Sequence, residues 1–190
     1  MYKKILAIVP AYNEEDSVTA VIDDIKMHLP EADIVVINDA STDGTANAVR
    51  SRNGVRLIDL PINLGIGGAV QTGFRYALNG SYDIAVQIDG DGQHMASEVK
   101  KVLTPVIDDV ADMSIGSRYL EKKGFFEQKV LIGLRMKELI SEETIKLIQS
   151  WQHTGFHVHH ETRIPAYSLQ GQVSAGDTKT RSYAENDGQH

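Results

Sequence analysis

Residues 83–94 read DIAVQIDGDGQH, an apolar run that ends in two aspartates separated by one glycine. Two carboxylates this close repel each other and lose hydration unless something compensates them. At the carboxyl end of a buried strand, Asp89 and Asp91 could direct their oxygens at one hard divalent cation, with Gly90 allowing close approach. A plain turn is the competing interpretation, because aspartate and glycine are both favoured in turns. The surroundings of the pair therefore decide between the two.

The apolar run belongs to a regular alternation of strand-like and helix-like segments. Strand-like runs rich in isoleucine and valine occupy residues 3–9, 33–38, 55–60, 83–88 and 112–116. Apolar residues at helical spacing lie between them, and Pro30, the Asn79–Gly80 pair and Pro105 indicate where helices end. This order predicts an α/β fold with a mainly parallel sheet covered by helices on both faces.

The position of the unusual residues favours a ligand site over a set of ordinary turns. Ligands bind parallel sheets outside the carboxyl ends of the strands. The polar and glycine-rich stretches fall at those ends, at residues 10–14, 38–44, 63–68 and 89–94. A hard ion such as Mg²⁺ or Mn²⁺ fits the carboxylate pair better than zinc, because His94 is the only nearby nitrogen ligand.

The other strand-end loops carry residues whose roles stay open at this point. VPAYNEE leaves Glu14 near a helix start, where an acidic residue also serves as an ordinary cap. Asp39 can accept a hydrogen bond from a base or ribose, whereas Asp43 is most simply a helix cap. The glycines of residues 63–73 fail the G-x-G-x-x-G spacing and indicate close backbone packing at a helix start. An NAD-dependent oxidoreductase is disfavoured, because the loop after the first strand has no glycine.

Composition narrows the class of protein further. The 190 residues include no cysteine, which excludes disulfides and thiolate metal sites. Residues 1–120 carry 10 Lys+Arg against 17 Asp+Glu, a balance of −7, whereas residues 121–190 carry 9 of each. A domain this acidic is a poor partner for nucleic acid. A phosphorylated ligand would need a cation between its phosphates and the acidic residues of the domain. No apolar run approaches the length of a membrane span or signal-peptide core, which predicts a cytoplasmic protein.

The alternation stops after residue 120. Residues 121–151 are predicted to be helical, with apolar positions at Val130, Leu131, Leu134, Ile140, Leu147 and Ile148. Residues 152–190 are mostly polar and show no periodicity, which predicts a poorly ordered tail. The sequence thus predicts a ligand-binding domain over residues 1–120, a helical segment and a tail.

Five motifs together resemble a known family. VPAYNEE, VINDASTDGT, NLGIGGAVQTGFRYA, QIDGDGQH and GSRY occur in the order and spacing seen in family 2 glycosyltransferases of the GT-A fold. Over residues 3–120 the chain resembles the dolichyl- and polyprenyl-phosphate sugar transferases and related bacterial polysaccharide glycosyltransferases. The resemblance implies a Rossmann-like GT-A domain over residues 1–120 that binds a UDP- or GDP-sugar. It also implies a divalent metal, Mg²⁺ or Mn²⁺, and transfer with inversion at the anomeric carbon.

The resemblance assigns the nucleotide to the first two loops. Pro10, Tyr12 and Glu14 would border the base and ribose. Asp39 would accept a hydrogen bond from the base. These roles agree with the polar strand ends predicted from the sequence pattern.

The resemblance assigns the diphosphate and the chemistry to two later motifs. Asp89 and Asp91 would bridge the metal to the diphosphate, and Gln93 would help to hold that site. Arg118 would face phosphate oxygens, a role that suits its planar donors, although a surface arginine after an edge strand is the simpler alternative. Asp91, Gln93 and Arg118 are therefore the candidate catalytic residues.

After Gly124 the sequence departs from the family's pattern. The acceptor-side stretch has no counterpart, and Glu142–Glu143, the nearest match to an acidic general-base pair, falls in a helical pattern. A lipid-phosphate acceptor would need no base, because its anionic oxygen is already a nucleophile. The alternative is a nucleotide-sugar-binding module with little or no turnover. A glycan acceptor, a homodimer and a peripheral membrane contact on the cytoplasmic face through residues 127–151 are further expectations.

Overall fold

The structure is a computed structural model that describes residues 3–92, 96–116 and 131–136. In chain order its elements are β1 Ile5–Ala11, α1 Val18–His28, β2 Ala32–Asn38, α2 Thr45–Arg50, β3 Val55–Asp59, α3 Gly65–Asn79, β4 Ile84–Gln87, α4 Ala96–Ile107, β5 Met113–Gly116 and β6 Leu131–Arg135. None of the helices in these ranges combines the length and the apolar character needed to cross a bilayer.

The strands form one sheet in the order β3-β2-β1-β4-β6-β5. The first four are parallel to one another, with Ile8 opposite both Val35 of β2 and Gln87 of β4. β6 runs antiparallel to β4 on one side and to β5 on the other. The predicted α/β fold with a mainly parallel sheet is therefore confirmed.

Helices cover both faces of the sheet because the strands are apolar on both sides. In β1, Ala7 and Val9 belong to a core shared with α1, α2 and α4, whereas Leu6 and Ile8 belong to a core shared with α3. Phe74 of α3 is fully buried in the second core. Strands buried on both faces read as continuous hydrophobic runs, which is how β1 was predicted from sequence.

Helix α4 extends slightly beyond its predicted end. Pro105 was expected to stop it, but the helix continues to Ile107 with Pro105 inside it. Proline removes one backbone donor and disfavours a helix interior. Val106 is fully buried in the core, and the carbonyl of Pro105 accepts hydrogen bonds from Val110 at 2.9 Å and Ala111 at 3.0 Å. Burial and these closing bonds offset the lost donor.

The prediction of a helix was wrong for residues 131–135, which form β6. Gly133 of β6 pairs with Val86 of β4 and Ser114 of β5. A Cβ on Gly133 would lie 3.3 Å from Val102 Cγ1, so the glycine lets α4 pack closely on the sheet. Leu131 and Leu134 fit helical spacing, but pairing with strands distant in sequence overrides that local pattern. Met136 follows β6 and donates its N–H to the Asp83 carbonyl at 2.7 Å, and the remaining residues of the predicted helical segment and the tail lie outside the described residues.

Candidate functional site

The strand order reverses beside β1, since the chain moves from β1 to β2 and β3 on one side and returns to β4 on the other. In open parallel sheets, ligands bind in the crevice at such a reversal. A cleft of about 490 Å³ opens there, at the carboxyl ends of the strands. It is lined by all the predicted site residues that fall in the described ranges: Pro10, Tyr12, Glu14, Asp39, Asp89 and Asp91.

Residues 88–92, which we call the acidic loop, are held directly against the end of β1. The Ile88 N–H donates to the Ile8 carbonyl at 2.9 Å, and the Gly90 N–H donates to the Pro10 carbonyl at 3.2 Å. A Cβ on Gly90 would lie only 2.9 Å from that same Pro10 oxygen. Glycine is therefore required for the loop to approach β1 this closely, whereas the sequence had suggested that Gly90 allows close approach to a cation.

The two carboxylates of the acidic loop have the chemistry of a divalent-metal site. Asp89 and Asp91 are both partly exposed and line the cleft. The Gln87 side-chain amide donates to Asp89 Oδ1 at 3.0 Å, which orients that carboxylate. Among the residues described, no group of three or more Asp, Glu or His side chains could hold a metal alone. Two carboxylates fit Mg²⁺ or Mn²⁺ when phosphate oxygens and water complete the coordination.

The loop after β1 is fastened to the loop after β2. Asn13 adopts a left-handed conformation with φ 56°, and its side-chain oxygen accepts from the Thr42 N–H at 2.9 Å. The Glu14 N–H donates to the Thr45 hydroxyl at 2.8 Å. Tyr12, between these anchors and β1, remains 49% exposed. The loop thus presents an aromatic ring at the cleft while its own backbone is fixed.

Asp39 is almost fully buried, with 3% exposure. Its Oδ1 accepts from the Leu64 N–H at 2.7 Å, and its own N–H donates to the Ala11 carbonyl at 2.9 Å. The residue therefore ties the loop before α3 to the end of β2, a structural role that the sequence did not indicate. A carboxylate has about four acceptor sites, so this bond leaves acceptor capacity for the predicted contact to a base.

The predicted cap Asp43 lies two residues before Thr45, the first residue of α2, and Gly44 occupies the N-cap position instead. Burial acts to raise the pKa of Asp43, but hydrogen bonds from the Thr45 side chain and backbone and from the Glu15 backbone outweigh it. The pKa of this carboxyl is therefore held below its ordinary value. The bond from the Glu15 N–H to Asp43 Oδ2, at 3.2 Å, also joins the loops after β1 and β2.

The sequence placed residues 63–68 at the site edge of the sheet but did not name any of them as a site residue. Asn63, Gly65, Ile66 and Ala69 line the cleft beside the predicted residues. The Asn63 side-chain oxygen accepts from the Gly65 N–H at 2.9 Å, and Gly65 has φ +74°. Sequence reading gave Asn63 and Gly65 only turn and packing roles. The usable signal was Ile66, an apolar residue in the first turn of α3, which is 50% exposed.

Two predicted catalytic residues, Gln93 and Arg118, lie outside the described residues. Gly92 and Gly116 are the last described residues before them. Gly92 ends the acidic loop, and Gly116 ends β5. The roles of Gln93 and Arg118 stay predictions.

Comparison with known proteins identifies the family to which the chain belongs. Residues 6–164 match the family described as Glycosyl transferase family 2. The match covers well over half of the chain, so this protein belongs to that family. The sequence-based resemblance is thereby confirmed.

Within this family, the chain is similar to named sugar transferases over part of their length. The chain is 35% identical over 119 residues to "Undecaprenyl-phosphate mannosyltransferase" of Micrococcus luteus, covering 60% of this chain and 48% of the relative. It is 33% identical over 139 residues to "UDP-N-acetylglucosamine--dolichyl-phosphate N-acetylglucosaminyltransferase" of Methanococcus voltae, covering 65% and 55%. The chain thus spans about half the length of these relatives.

A solved structure shares the fold. Glucosyl-3-phosphoglycerate synthase from Mycobacterium tuberculosis, crystallised with Mn²⁺, uridine diphosphate and glucosyl-3-phosphoglycerate, is 26% identical with a TM-score of 0.50. The match covers 58% of this chain and 42% of that one. It supports the mainly parallel sheet with covering helices found here.

Proposed function

We propose that this chain is a metal-dependent, inverting glycosyltransferase that moves a sugar from a UDP- or GDP-sugar to a polyprenyl phosphate or a glycan. The observation that carries the proposal is the cleft, which brings Asp89 and Asp91 together with Tyr12 and Asp39 at the reversal of strand order. The relatives' names support sugar transfer to polyprenyl phosphates. The solved neighbour's bound Mn²⁺ and uridine diphosphate support the donor and the metal.

The acidic end of the cleft would bind the diphosphate through a cation. A dianionic diphosphate is repelled by Asp89 and Asp91 unless a divalent ion lies between them. Mg²⁺ or Mn²⁺ held by these carboxylates would neutralise charge on the diphosphate leaving group. Gln87 would keep Asp89 oriented through its 3.0 Å hydrogen bond. This arrangement explains how an acidic domain would bind a phosphorylated donor.

The loop after β1, together with Asp39, would bind the nucleoside. Tyr12 is exposed enough to stack on a base, and Pro10 and Glu14 border the same space. Asp39 would accept a hydrogen bond from the base in addition to the one from the Leu64 N–H. Base and metal would then be bound by separate loops at fixed separation.

A polyprenyl phosphate is the acceptor that we favour. Its phosphate oxygen is already anionic, so the reaction would need no general base from the protein. The lipid tail would bring the enzyme to the cytoplasmic face of a membrane by peripheral contact. Residues 131–135 cannot provide the helical contact expected there, because they form β6.

Donor hydrolysis and sugar transfer in Mn²⁺, measured for wild type and Asp91→Asn, test the proposal. We expect Asp91→Asn to lose activity by about 100-fold or more, by analogy with other residues whose charge stabilisation is removed. Asp108→Asn is the matched control, because Asp108 is exposed just beyond the end of α4 and away from the cleft. Equal activity of Asp91→Asn and wild type would refute the proposal.

The binding-module alternative is separated by calorimetry with UDP and GDP, with and without Mn²⁺. Metal-dependent binding of one nucleotide together with product formation supports the transferase. Equally tight binding with no product from any acceptor supports the module. Absence of nucleotide binding would contradict both.

A further inference from the structure

Both peptide groups that flank Tyr12 are hydrogen-bonded to the loop after β2. On one side, the Ala11 carbonyl accepts from the Asp39 N–H at 2.9 Å. On the other side, the Asn13 N–H donates to Ser41 Oγ at 2.9 Å. A peptide group is planar, so each of these bonds restricts one backbone dihedral angle of Tyr12. The first bond joins backbone to backbone, whereas the second depends on a single side-chain hydroxyl.

The bond to Ser41 helps to hold Asn13 in a conformation that is sparsely populated. Asn13 has φ 56°, in the left-handed region that residues with a Cβ rarely occupy. The Asn13 side-chain oxygen accepts from the Thr42 N–H at 2.9 Å, so Thr42 holds the side chain while Ser41 holds the N–H. Such a conformation persists only where surrounding bonds determine it. Without the Ser41 hydroxyl, water would replace this acceptor and the peptide group would no longer be fixed.

The Ser41 hydroxyl can accept this bond because its one hydrogen is used elsewhere. Ser41 Oγ donates to Asn38 Oδ1, and the Ser41 N–H donates to the same oxygen at 3.3 Å. A hydroxyl has one hydrogen and two lone pairs, so donation to Asn38 leaves it able to accept from Asn13. Asn38 is only 2% exposed, which keeps water from competing for its oxygen.

Asp59, at the end of β3, determines which way the Asn38 amide faces. Asn38 Nδ2 donates to Asp59 Oδ1 at 2.5 Å, and Arg50 donates to Asp59 Oδ2 at 2.5 Å. An ionised carboxylate only accepts, so the Asn38 NH₂ group must face Asp59 and its oxygen must face Ser41. From Asn13 to Asp59 each group therefore donates to the next, and the charge of Arg50 compensates the carboxylate at which the chain of bonds ends.

We propose that Ser41 is a positioning residue for the nucleoside, because its hydroxyl fixes the peptide group that follows Tyr12. The Tyr12 ring lines the cleft and is 49% exposed, so packing holds only part of it. With the backbone fixed on both sides, only two side-chain dihedral angles remain to be ordered when a base stacks on the ring. Preorganisation of this kind raises affinity by lowering the entropy lost on binding. The inference rests on the proposed function, because it assumes that Tyr12 stacks on the base of the donor.

Calorimetric titration of UDP and GDP in Mn²⁺ measures the effect. We expect Ser41→Ala to raise the Kd about fivefold, which corresponds to one lost hydrogen bond of about 1 kcal/mol. Ser41→Thr keeps a hydroxyl and should retain most of the affinity. Ser51→Ala is the matched control, because the Ser51 hydroxyl donates to the Ala48 carbonyl at 2.6 Å at the opposite end of α2 from Ser41.

Two further measurements distinguish the positioning of Tyr12 from a general effect on the loops. In the Tyr12→Ala background, Ser41→Ala should leave the Kd unchanged, because the ring that the hydroxyl positions is absent. Inorganic pyrophosphate has no base, so its Mn²⁺-dependent binding should be the same in Ser41→Ala and in the wild type.

The outcomes separate this inference from the proposed function. If the wild type binds neither nucleotide, both fail. If the wild type binds a nucleotide and Ser41→Ala binds it with the same Kd, only the inference fails, whatever the change in thermal stability. An equal rise in Kd with and without the Tyr12 ring, or weaker pyrophosphate binding in Ser41→Ala, also overturns the inference alone. If Ser41→Ala does not fold, Ser41→Cys replaces it with the same expectations, because sulfur is a weak acceptor.

Discussion

The two ends of the sheet carry polar residues in different ways. At the amino end, the Tyr82 hydroxyl donates to Asp33 Oδ2 at 2.8 Å. Lys4 Nζ lies 4.0 Å from the centre of the Tyr82 ring and donates to the Gly80 carbonyl at 3.0 Å. Burial, and then the bond to Asp33, raises the pKa of Tyr82. The polar groups at this end contact one another and stabilise the fold.

At the carboxyl end, the polar groups fix unusual loop conformations and leave side chains facing a cleft. Asn13 and Ala40 have φ of 56° and 57°, which non-glycine residues rarely adopt. Such strain persists only where surrounding bonds hold it, and it is commonest at functional sites. A second cavity of about 430 Å³ lies at the amino end beside Asp33 and Tyr82, so volume alone does not distinguish the ends. Left-handed residues do not distinguish them either, because Ser81 and Asp109 at the amino end have φ of 53° and 60°. The difference is that Tyr12, Asp89 and Asp91 line the cavity at the carboxyl end, whereas Tyr82 and Asp33 at the amino end are hydrogen-bonded to each other.

The largest expected effect comes from placing a methyl group where the acidic loop meets β1. Gly90→Ala would put a Cβ 2.9 Å from the Pro10 carbonyl, which must move the loop. We expect a loss of Mn²⁺-dependent nucleotide affinity of about tenfold or more, with destabilisation of about 1–3 kcal/mol from overpacking. Calorimetry and thermal unfolding measure the two effects.

Gly54→Ala, in the loop before β3, is the control at the amino end. Gly54 has φ +73°, but a Cβ there would meet nothing within 4 Å. It should cost about 1 kcal/mol of stability through backbone strain and leave binding unchanged. Loss of nucleotide binding in Gly54→Ala would break the comparison between the two ends.

Tyr12→Ala should affect binding without affecting stability. The ring is 49% exposed, so its removal changes little of the core. Stacking of an aromatic ring on a base contributes about 1–3 kcal/mol, which corresponds to a fall in nucleotide affinity of about 5- to 150-fold. Tyr12→Phe should retain that affinity in the same calorimetric titration. If Tyr12→Ala binds UDP and GDP with the affinity of the wild type, the nucleoside does not stack on Tyr12.

Tyr82→Phe, unlike Tyr12→Ala, should lower stability without changing binding. Removal of the hydroxyl deprives Asp33 of its donor and should cost about 1 kcal/mol in the free energy of unfolding. Nucleotide and metal affinity should not change, because the pair lies at the other end of the sheet. Denaturant unfolding and calorimetry on one preparation would check both. Reduced nucleotide affinity without destabilisation would contradict the assignment of stability to the amino end of the sheet and of binding to the carboxyl end.

The smallest expected effect is a pH dependence at Asp43. Its folded pKa lies below the ordinary value of 3.8, so the carboxylate stabilises the folded state above that pH. The contribution is lost as pH falls through the lower, folded-state pKa. Unfolding of wild type and Asp43→Asn should therefore differ at neutral pH and converge in acid. A constant difference down to low pH would show that charge at Asp43 is not involved.

Local sequence patterns were enough to predict the sheet's parallel part and the acidic end of the cleft. Runs of isoleucine and valine and the helical spacing in α1 and α3 are signals carried by neighbouring residues. Asp39, Asp89 and Asp91 were found because parallel strands bring their carboxyl ends together. Those signals need no knowledge of distant contacts.

The features that sequence reading missed depend on residues far apart in the chain. β6 takes its conformation from pairing with β4 and β5, although Leu131 and Leu134 suit a helix equally well. The bond between Asp24 and Ala96 joins residues 72 positions apart. Asp24 itself looks like an ordinary exposed helix residue. No local pattern distinguishes it from Asp23.

The antiparallel pairing of β5 and β6 has an evolutionary consequence. β5 runs parallel to β4, so the chain leaves the sheet at Gly116 on the cleft side and rejoins it at the paired residue Leu131. Closing a segment between two fixed ends costs free energy that grows only slowly with its length. A change in the length of the chain between Gly116 and Leu131 would therefore leave the pairing of β5 with β6 unchanged. We expect proteins that share this sheet to differ more in chain length between these two strands than within them.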